Sequence, residues 1–323
     1  MKILVTGGAG YIGSITVKEL LKKGYEVVVY DNLVYGHKEA VSCPLIIGDL
    51  LDNEFLNKSL ENENFDAVIH FAALALSGES MRNPSVYFQN NIQGGLNLLE
   101  LMRKKNVGSI VFSSTCAIYG TPDKFPVDET SEKKPESVYG ESKLMFEKVL
   151  YWYDKIYNIK HINLRYFNAA GASLDATLGE SHKPETHIIP VAISVALGKS
   201  TQFELYGNDY DTPDGTCIRD YIHVEDLATA HILALDRLAK TRQSDSFNLG
   251  TGKGYSNKEI IEMVKKISGV DFLVVVKERR FGDPPIIYAN NQKVIQELEF
   301  NYRNSDLETI VKSAWEWHKN SKY

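Results

Sequence analysis

The chain has 323 residues, 43% of them hydrophobic and 24% charged, with a formal net charge of −6 at pH 7. That is long enough for a large core and up to two domains, and the acidic balance argues against nucleic acid, which asks for a basic face. Cys43, Cys116 and Cys217 are few, odd in number and far apart, which predicts reduced thiols in a cytoplasm, with neither a disulfide framework nor a zinc site. The eight histidines include no H-x-H or H-x-x-x-H spacing, so no metal is expected. No apolar run approaches the roughly 20 residues of a membrane helix, and the N-terminal run, broken at Gly7, does not read as a signal peptide.

Lys2–Thr6 is a short apolar run without polar alternation, which suits a strand buried on both faces of a parallel sheet. It leads into Gly7-Gly-Ala-Gly10-Tyr-Ile-Gly13 and a helical stretch to about Lys23. Glycines spaced G-x-x-G-x-x-G there permit a tight turn and close backbone approach to a pyrophosphate at the helix N-terminus. Gly24 ends the helix, and Tyr25–Tyr30 is the next strand. Asp31 at its end is placed to take both ribose hydroxyls of NAD and to repel the 2′-phosphate of NADP. Strand, glycines, helix, strand and acid in register predict a bound dinucleotide. Leu45–Asp49 is a third strand, with Asp49 in reach of an adenine, and Asp66–Ala73 is a fourth that delivers small residues where a cofactor passes. His70 within it reads as a satisfied core histidine. The helical stretch from Pro84 to Lys105 carries Asn90 and Asn91, amides that bond either the cofactor or, as helix-borne Asn more often does, their own surroundings.

Ser109–Thr115 is a fifth strand and ends in three hydroxyls. Beyond it, Tyr139 and Lys143 are four apart, so on a helix they share a face with Cβ atoms about 5–6 Å apart. A phenol with a pKa of about 10 is a poor base at neutral pH, but an ammonium and a cationic nicotinamide beside it both favour phenolate. Bringing it to neutrality takes roughly 4 kcal/mol, after which the pair can remove a proton from a sugar hydroxyl. The spacing alone is weak: among 18 tyrosines a chance match is expected, and Tyr151 with Lys155 is one. Context lifts the first pair, because a hydroxyl at a strand's carboxyl end and this helix both face the crevice where such sheets bind ligands.

His161–Asn168 is a sixth strand. The fold class is therefore α/β, a Rossmann-type doubly wound parallel sheet, with a nucleotide-binding domain over residues 1–168. From there the rhythm turns irregular, which predicts a smaller α/β substrate domain over 169–323, with returns to the first domain near 217–251. Ser256-x-x-Glu259 and Ser305-x-x-Glu308 read as capping boxes, and Trp315 in the last helix as a core anchor. Lys277–Arg280 followed by Gly282-Asp283-Pro-Pro reads as a solvated turn.

With GGAGYIGS, VYDNL, HFAA…GES, NN, FSST…YG, YGESK, LRYFNAAGA, YGNDY…DGT…RDYIHV and FGDPP in hand, the chain resembles the extended short-chain dehydrogenase/reductase family. Within it the likeness is to the branch that epimerises UDP-hexoses at C4, and it covers essentially the whole chain. The resemblance implies Tyr139 as base, Lys143 as its partner and as a ligand of the nicotinamide ribose, and Thr115 bonding the sugar's reacting hydroxyl. It implies that Gly7, Gly10, Tyr11, Ile12, Gly13, Asp31, Asn32, Asp49, Leu50, Phe71, Ala72, Ala73 and Asn90 line NAD. Asn168, Arg219, Tyr221, Arg280 and Asp283 are then expected to hold UDP, the arginines at pyrophosphate and Asp283 near ribose. Tyr206 is expected near uracil and Ile287 at the pocket floor. A homodimer through a bundle that includes the Tyr139 helix is also implied.

The chain departs from the family at two places. A lysine often found after the fourth strand is missing from Leu74-Ala75-Leu76, so one polar cofactor contact is lost. Ile287 stands where some members carry tyrosine and others a small residue. The expected reaction is reversible C4 epimerisation of a UDP-hexose with resident NAD, and a UDP-pentose, UDP-uronate or UDP-N-acetylhexosamine is the alternative substrate. A 4,6-dehydratase is disfavoured because Cys116 and Ala117 follow Thr115 where that chemistry uses an Asp-Glu pair, and an NADPH reductase because of Asp31. A non-catalytic NAD(H)-sensing protein has no need of Tyr139, Lys143 and Thr115 together.

Overall fold

In the computed structural model, which describes residues 1–280, 284–321 and 323, the unalternating apolar runs lie side by side as buried parallel strands. The strands are β1 (Lys2–Thr6), β2 (Glu26–Asp31), β3 (Leu45–Ile47), β4 (Ala67–His70), β5 (Ser109–Thr115), β6 (Lys160–Tyr166) and β7 (Asn168–Ala170). They continue as β8 (Phe203–Tyr206), β9 (Ile218–His223), β10 (Asp245–Leu249), β11 (Gly254–Ser256), β12 (Val274–Lys277) and β13 (Ile286–Ile287). The helices of the first half are α1 (Tyr11–Lys22), α2 (Asn53–Ser59), α3 (Ser77–Ser80), α4 (Pro84–Phe88), α5 (Gly94–Lys104) and α6 (Val138–Tyr157). Those of the second are α7 (Ile188–Ala196), α8 (Val224–Thr241), α9 (Asn257–Ser268), α10 (Gln292–Glu297) and α11 (Leu307–Lys319).

Among the described residues the main sheet runs β3-β2-β1-β4-β5-β6-β10, every neighbouring pair parallel. Strand order turns back at β1, so the carboxyl ends of β1 and β4 flank a topological switch point, the place where open α/β sheets take ligands. Successive side chains of a strand point to opposite faces, and β1 follows this. Ile3 and Val5 join α1 and α8 residues such as Leu20 and Leu227 in one core, and Leu4 joins Leu98, Phe112 and Phe146 in the other.

A second unit builds on β9, which pairs antiparallel with β11 and parallel with β7 and β13. Its core packs α7, α9 and α11 through Ile193, Ile260 and Ile310. The return expected near 217–251 is thereby divided. Ile218–His223 belongs to the second unit because its neighbours there are Asn168–Ala170 and Ile286–Ile287, whereas α8 and β10 come back to the main sheet. The Ser256 capping box forms, its hydroxyl taking Glu259 N–H and the Glu259 carboxylate taking Ser256 N–H. The one expected at Ser305 does not. Asp306 is the N-cap of α11, because the Ser305 hydroxyl donates to Asp226 (2.6 Å) and accepts from His223 N–H. Trp317 is the fully buried anchor of that helix, and the expected Trp315 instead packs at the edge of the core between α7, α9 and α11. No helix among the described residues is long and apolar enough to cross a membrane.

Candidate active site

The glycines of the first turn are there for three different reasons. Gly7 has φ +73° and comes so close to the next strand that a Cβ would lie 2.5 Å from Ala72 N. A Cβ at Gly13 would run into the Gly7 carbonyl oxygen. Gly10 is open: a Cβ there meets nothing nearer than the same oxygen at 3.4 Å. Two glycines therefore make the turn and the third leaves free space over the start of α1. That helix has no acidic residue in its first turn and no side-chain cap at Gly10, so its positive end is left for an anion. The buried Asp31 carboxylate accepts from Ala9 N–H and Leu33 N–H, each at 2.9 Å. Two N–H groups leave lone pairs for ribose hydroxyls. Burial pushes its pKa up and the two N–H bonds pull it back. Asn32 donates to Asp49 (2.9 Å), which also takes Leu51 N–H, and the Leu50 carbonyl takes Asn97. Tyr11 donates to the Gly171 carbonyl at 2.6 Å, tying the glycine loop to the segment after β7, and Ile12 packs at the core's edge. Phe71, Ala72 and Ala73 follow β4, with Phe71 N–H and Ala72 N–H on the Thr6 carbonyl. The turn, its open centre and the acid beyond it fit a dinucleotide.

The second cluster stands at the end of β5. Tyr139 lies in the first turn of α6, which the Ser137 hydroxyl caps by accepting Gly140 N–H. Thr115 is its hydrogen-bond partner and also accepts Ala117 N–H at 3.1 Å. Lys143, one turn on, is buried; its Nζ donates to the Ser113 carbonyl (2.8 Å) and sits 4.8 Å from the Phe112 ring centre. Burial pulls the Lys143 pKa down to about 7, with the Glu147 carboxylate working against it. The sequence reading expects that ammonium to draw the phenol down. Instead burial, then Tyr166, push Tyr139 above its ordinary value, and the Thr115 hydroxyl is what pulls it back. The ammonium is engaged at the Ser113 carbonyl on β5, and not at the expected Tyr139. His70 is a core histidine, as expected: 2.7 Å from Thr6 Oγ1, stacked on Phe112, and held to a pKa of about 3 by burial and by Lys143. The other pair at this spacing points outward, Lys155 lying 5.4 Å from the exposed Tyr151 ring.

The expected UDP residues come from four elements. Asn168 on β7 donates to the Asp220 carbonyl at 2.8 Å, holding β7 to β9. Arg219 and the buried Tyr221 sit on β9, and Arg219 is near enough to the Cys116 thiol, next to Thr115, to oppose the rise in pKa that burial causes there. The Arg280 Cζ stands over the Tyr206 ring, 4.0 Å from its centre. Ile287, opposite Arg219 in register, is buried with Cys116 and with Leu144 of α6. Asp283 falls outside the described residues.

Several structural contributors went unread in the sequence, whereas Asn91, read there as bonding either the cofactor or its surroundings, bonds its surroundings. Residues Gln89–Gln93 form a π-helical turn, a feature that often marks functional sites. It turns the Asn91 amide inward to bond both backbone groups of Leu74 and the Ser142 hydroxyl (2.9–3.0 Å), with Asn90 donating to Asn91. Asn91 thus fastens α6 to the segment after β4, where the exposed Ala75 stands in place of the missing lysine. Arg165 and Glu147 make a buried two-pronged pair (2.7 and 2.9 Å) behind β5, and Ser114 donates to the same carboxylate at 2.6 Å. Asp220 gathers the N–H groups of Thr251, Gly252 and Ala289. Spacing along one chain carries no signal for such pairs, save that Glu147 lies four residues beyond Lys143. Finally, Glu180, His182, Glu185 and His187 converge, although His182 and His187, five apart, escape a search for shorter ligand spacings.

The model of the NAD dependent epimerase/dehydratase family matches residues 3–250. A UDP-glucose 4-epimerase of Lactobacillus helveticus is 47% identical over 99% of this chain and 97% of its own. The crystal structure of UDP-glucose 4-epimerase from Brucella ovis in complex with NAD superposes with a TM-score of 0.94 at 45% identity, covering 97% of each chain. The UDP-Glc/GlcNAc 4-epimerase of Campylobacter jejuni does so with a TM-score of 0.86 at 44% identity, over 98% of this chain and 99% of the other. With its glycine turn, terminal acid and Thr-Tyr-Lys cluster at the carboxyl edge of one parallel sheet, and with these likenesses along its whole length, the chain belongs to the NAD dependent epimerase/dehydratase family.

Proposed function

We propose that this protein interconverts UDP-glucose and UDP-galactose by epimerising C4, with NAD held throughout. The observation that carries the reading is the meeting of Tyr139, Thr115 and Lys143 at the carboxyl end of β5, on the same sheet edge as the glycine turn. NAD, when bound, supplies a hydride acceptor that later returns the hydrogen, and a positive charge near the phenol. Gly10 and the start of α1 would cradle its pyrophosphate, and Asp31 would take its ribose. Tyr139 removes the 4-hydroxyl proton and returns it, while Thr115 orients that hydroxyl. Epimerisation needs a firm grip on UDP and a loose grip on the sugar, so that the 4-keto sugar can present either face. Arg219 and Arg280 grip the diphosphate, and Asn168 with Tyr221 fixes the edge of the site. The test uses purified protein, UDP-galactose and no added NAD, with UDP-glucose quantified after the protein is removed. Turnover without added cofactor, and NAD released on denaturation, is the expected result. Release of NAD without turnover overturns the substrate and leaves the N-acetylhexosamine, pentose and uronate forms to be assayed.

We also infer a homodimer in a cytoplasmic setting, the latter supported by three free cysteines. Met145, Trp152 and Ile156 form an outward stripe on α6, exposed by 38%, 59% and 64%. Large apolar side chains at positions 0, 7 and 11 of one helix face suit a helix packed against a second copy. Trp152→Glu is expected to convert the dimer to monomer in sedimentation velocity. A monomeric parent protein would refute the dimer.

A further inference from the structure

The segment between β7 and α7 holds two carboxylates and two imidazoles that no step above uses. Glu180, His182, Glu185 and His187 bring one donor atom each to within 4.8 Å of one another. Glu180, nearly fully buried, lies 2.6 Å from His187 Nδ1 and 3.0 Å from His182 Nδ1. Glu185 Oε1 lies 3.2 Å from His187 Nδ1 and is engaged by the backbone N–H groups of Thr186 and His187. His182 Nδ1 makes no well-aligned hydrogen bond although Glu180 Oε1 is 3.0 Å away, and Glu185 Oε2, 3.8 Å from the same nitrogen, is a buried atom without a hydrogen-bond partner. A carboxylate oxygen stripped of water and left unpaired is costly, and this one faces the imidazole that Glu180 already holds.

The dimensions are close to those of a metal site. Zinc bound at about 2.0–2.1 Å by nitrogen and oxygen sets tetrahedral ligands about 3.3–3.4 Å apart, and here the four donor atoms lie within 4.8 Å of one another, with the His187–Glu180 contact at 2.6 Å. Two neutral imidazoles and two carboxylates also balance a double positive charge, and this mixed N/O set suits zinc over calcium or magnesium. Glu180 and His187 line a partly open cavity of about 60 Å³, which gives an ion a way in. The surroundings hold the segment in place: Tyr11 and Tyr35 each set a ring edgewise to His182, and the Trp317 indole donates to the Glu180 carbonyl at 2.9 Å.

We propose that Glu180, His182, Glu185 and His187 bind one divalent transition-metal ion, zinc by preference, which pins this segment between the glycine loop and α7. The ion's place is structural: it joins Tyr11, on the cofactor side, to the helix that follows the substrate-side strand. The experiment starts with untagged protein purified without chelator, whose metal content is measured by plasma mass spectrometry. About one zinc per chain is expected. After chelator and dialysis, adding zinc at a hundredfold excess over Kd is expected to raise Tm by roughly 5 °C. Cobalt in its place should give the visible bands of a four-coordinate N/O site. His182→Asn with His187→Asn should abolish the metal, the Tm response and the cobalt bands together. Because those substitutions can weaken folding, the cobalt spectrum of the unaltered protein stands as an independent reading. Substoichiometric metal with no Tm response to zinc or cobalt overturns the site and leaves an imidazole–carboxylate ion pair. Full metal retention in the folded double variant overturns its location.

Discussion

Tyr139→Phe lowers kcat about 10²–10⁴-fold, the range a positioned acid–base group contributes, equivalent to roughly 3–5 kcal/mol in the barrier. The ring stays and the hydroxyl goes, so α6, its Ser137 cap and the amount of NAD released on denaturation are expected to be unchanged. The pH profile gives a second reading. Burial and Tyr166 hold the phenol above its ordinary value, so the reactive phenolate is lost as pH falls, and kcat/KM declines on the acid side up to tenfold per unit. In Tyr139→Phe that limb should disappear. Tyr151→Phe is the control: it alters the other tyrosine four residues ahead of a lysine, on the exposed side of the helix, and leaves turnover as it was. Equal losses in both variants would mean that the spacing, and not the crevice, had been misread.

That control also marks how far the sequence reaches. A glycine turn between an apolar strand and a helix is legible because three backbone demands fall on three fixed positions, and the structure meets each at Gly7, Gly10 and Gly13. The parallel sheet is legible because strands buried on both faces cannot alternate. Beyond local spacing the reading thins. Ser305 stands where a cap belongs, but Asp226, reaching over from α8, takes its hydroxyl, and Asp306 caps instead. Lys143 is on the expected helix face, yet the carbonyl that claims its ammonium lies 30 residues back, on β5. Asp220, Asn91 and the Glu180–His187 cluster are made by chain segments meeting in space, and residue type alone cannot say which segments meet.

Arg165→Met is expected to destabilise the protein by about 3–5 kcal/mol, the cost of breaking a buried ion pair from one side. Both partners are buried, at 5% and 7% exposure, and the two prongs are 2.7 and 2.9 Å long. Burial works against the guanidinium's charge, but Glu147 more than restores it, and the Arg165 pKa ends above its ordinary value. Removing Arg165 leaves the buried Glu147 carboxylate with Ser114 as its remaining hydrogen-bond donor. Chemical denaturation measures the loss. Replacing both residues, Arg165→Met with Glu147→Leu, should recover most of the loss, since a pair replaced by apolar side chains is often neutral. Turnover should nevertheless stay low in the double variant if the pair positions the helix. Glu147 is one turn from Lys143 and two from Tyr139 on α6, and it anchors that helix to Ser114, the residue before Thr115. Recovery of stability without recovery of kcat separates positioning from mere support, and recovery of both would reduce the pair to packing.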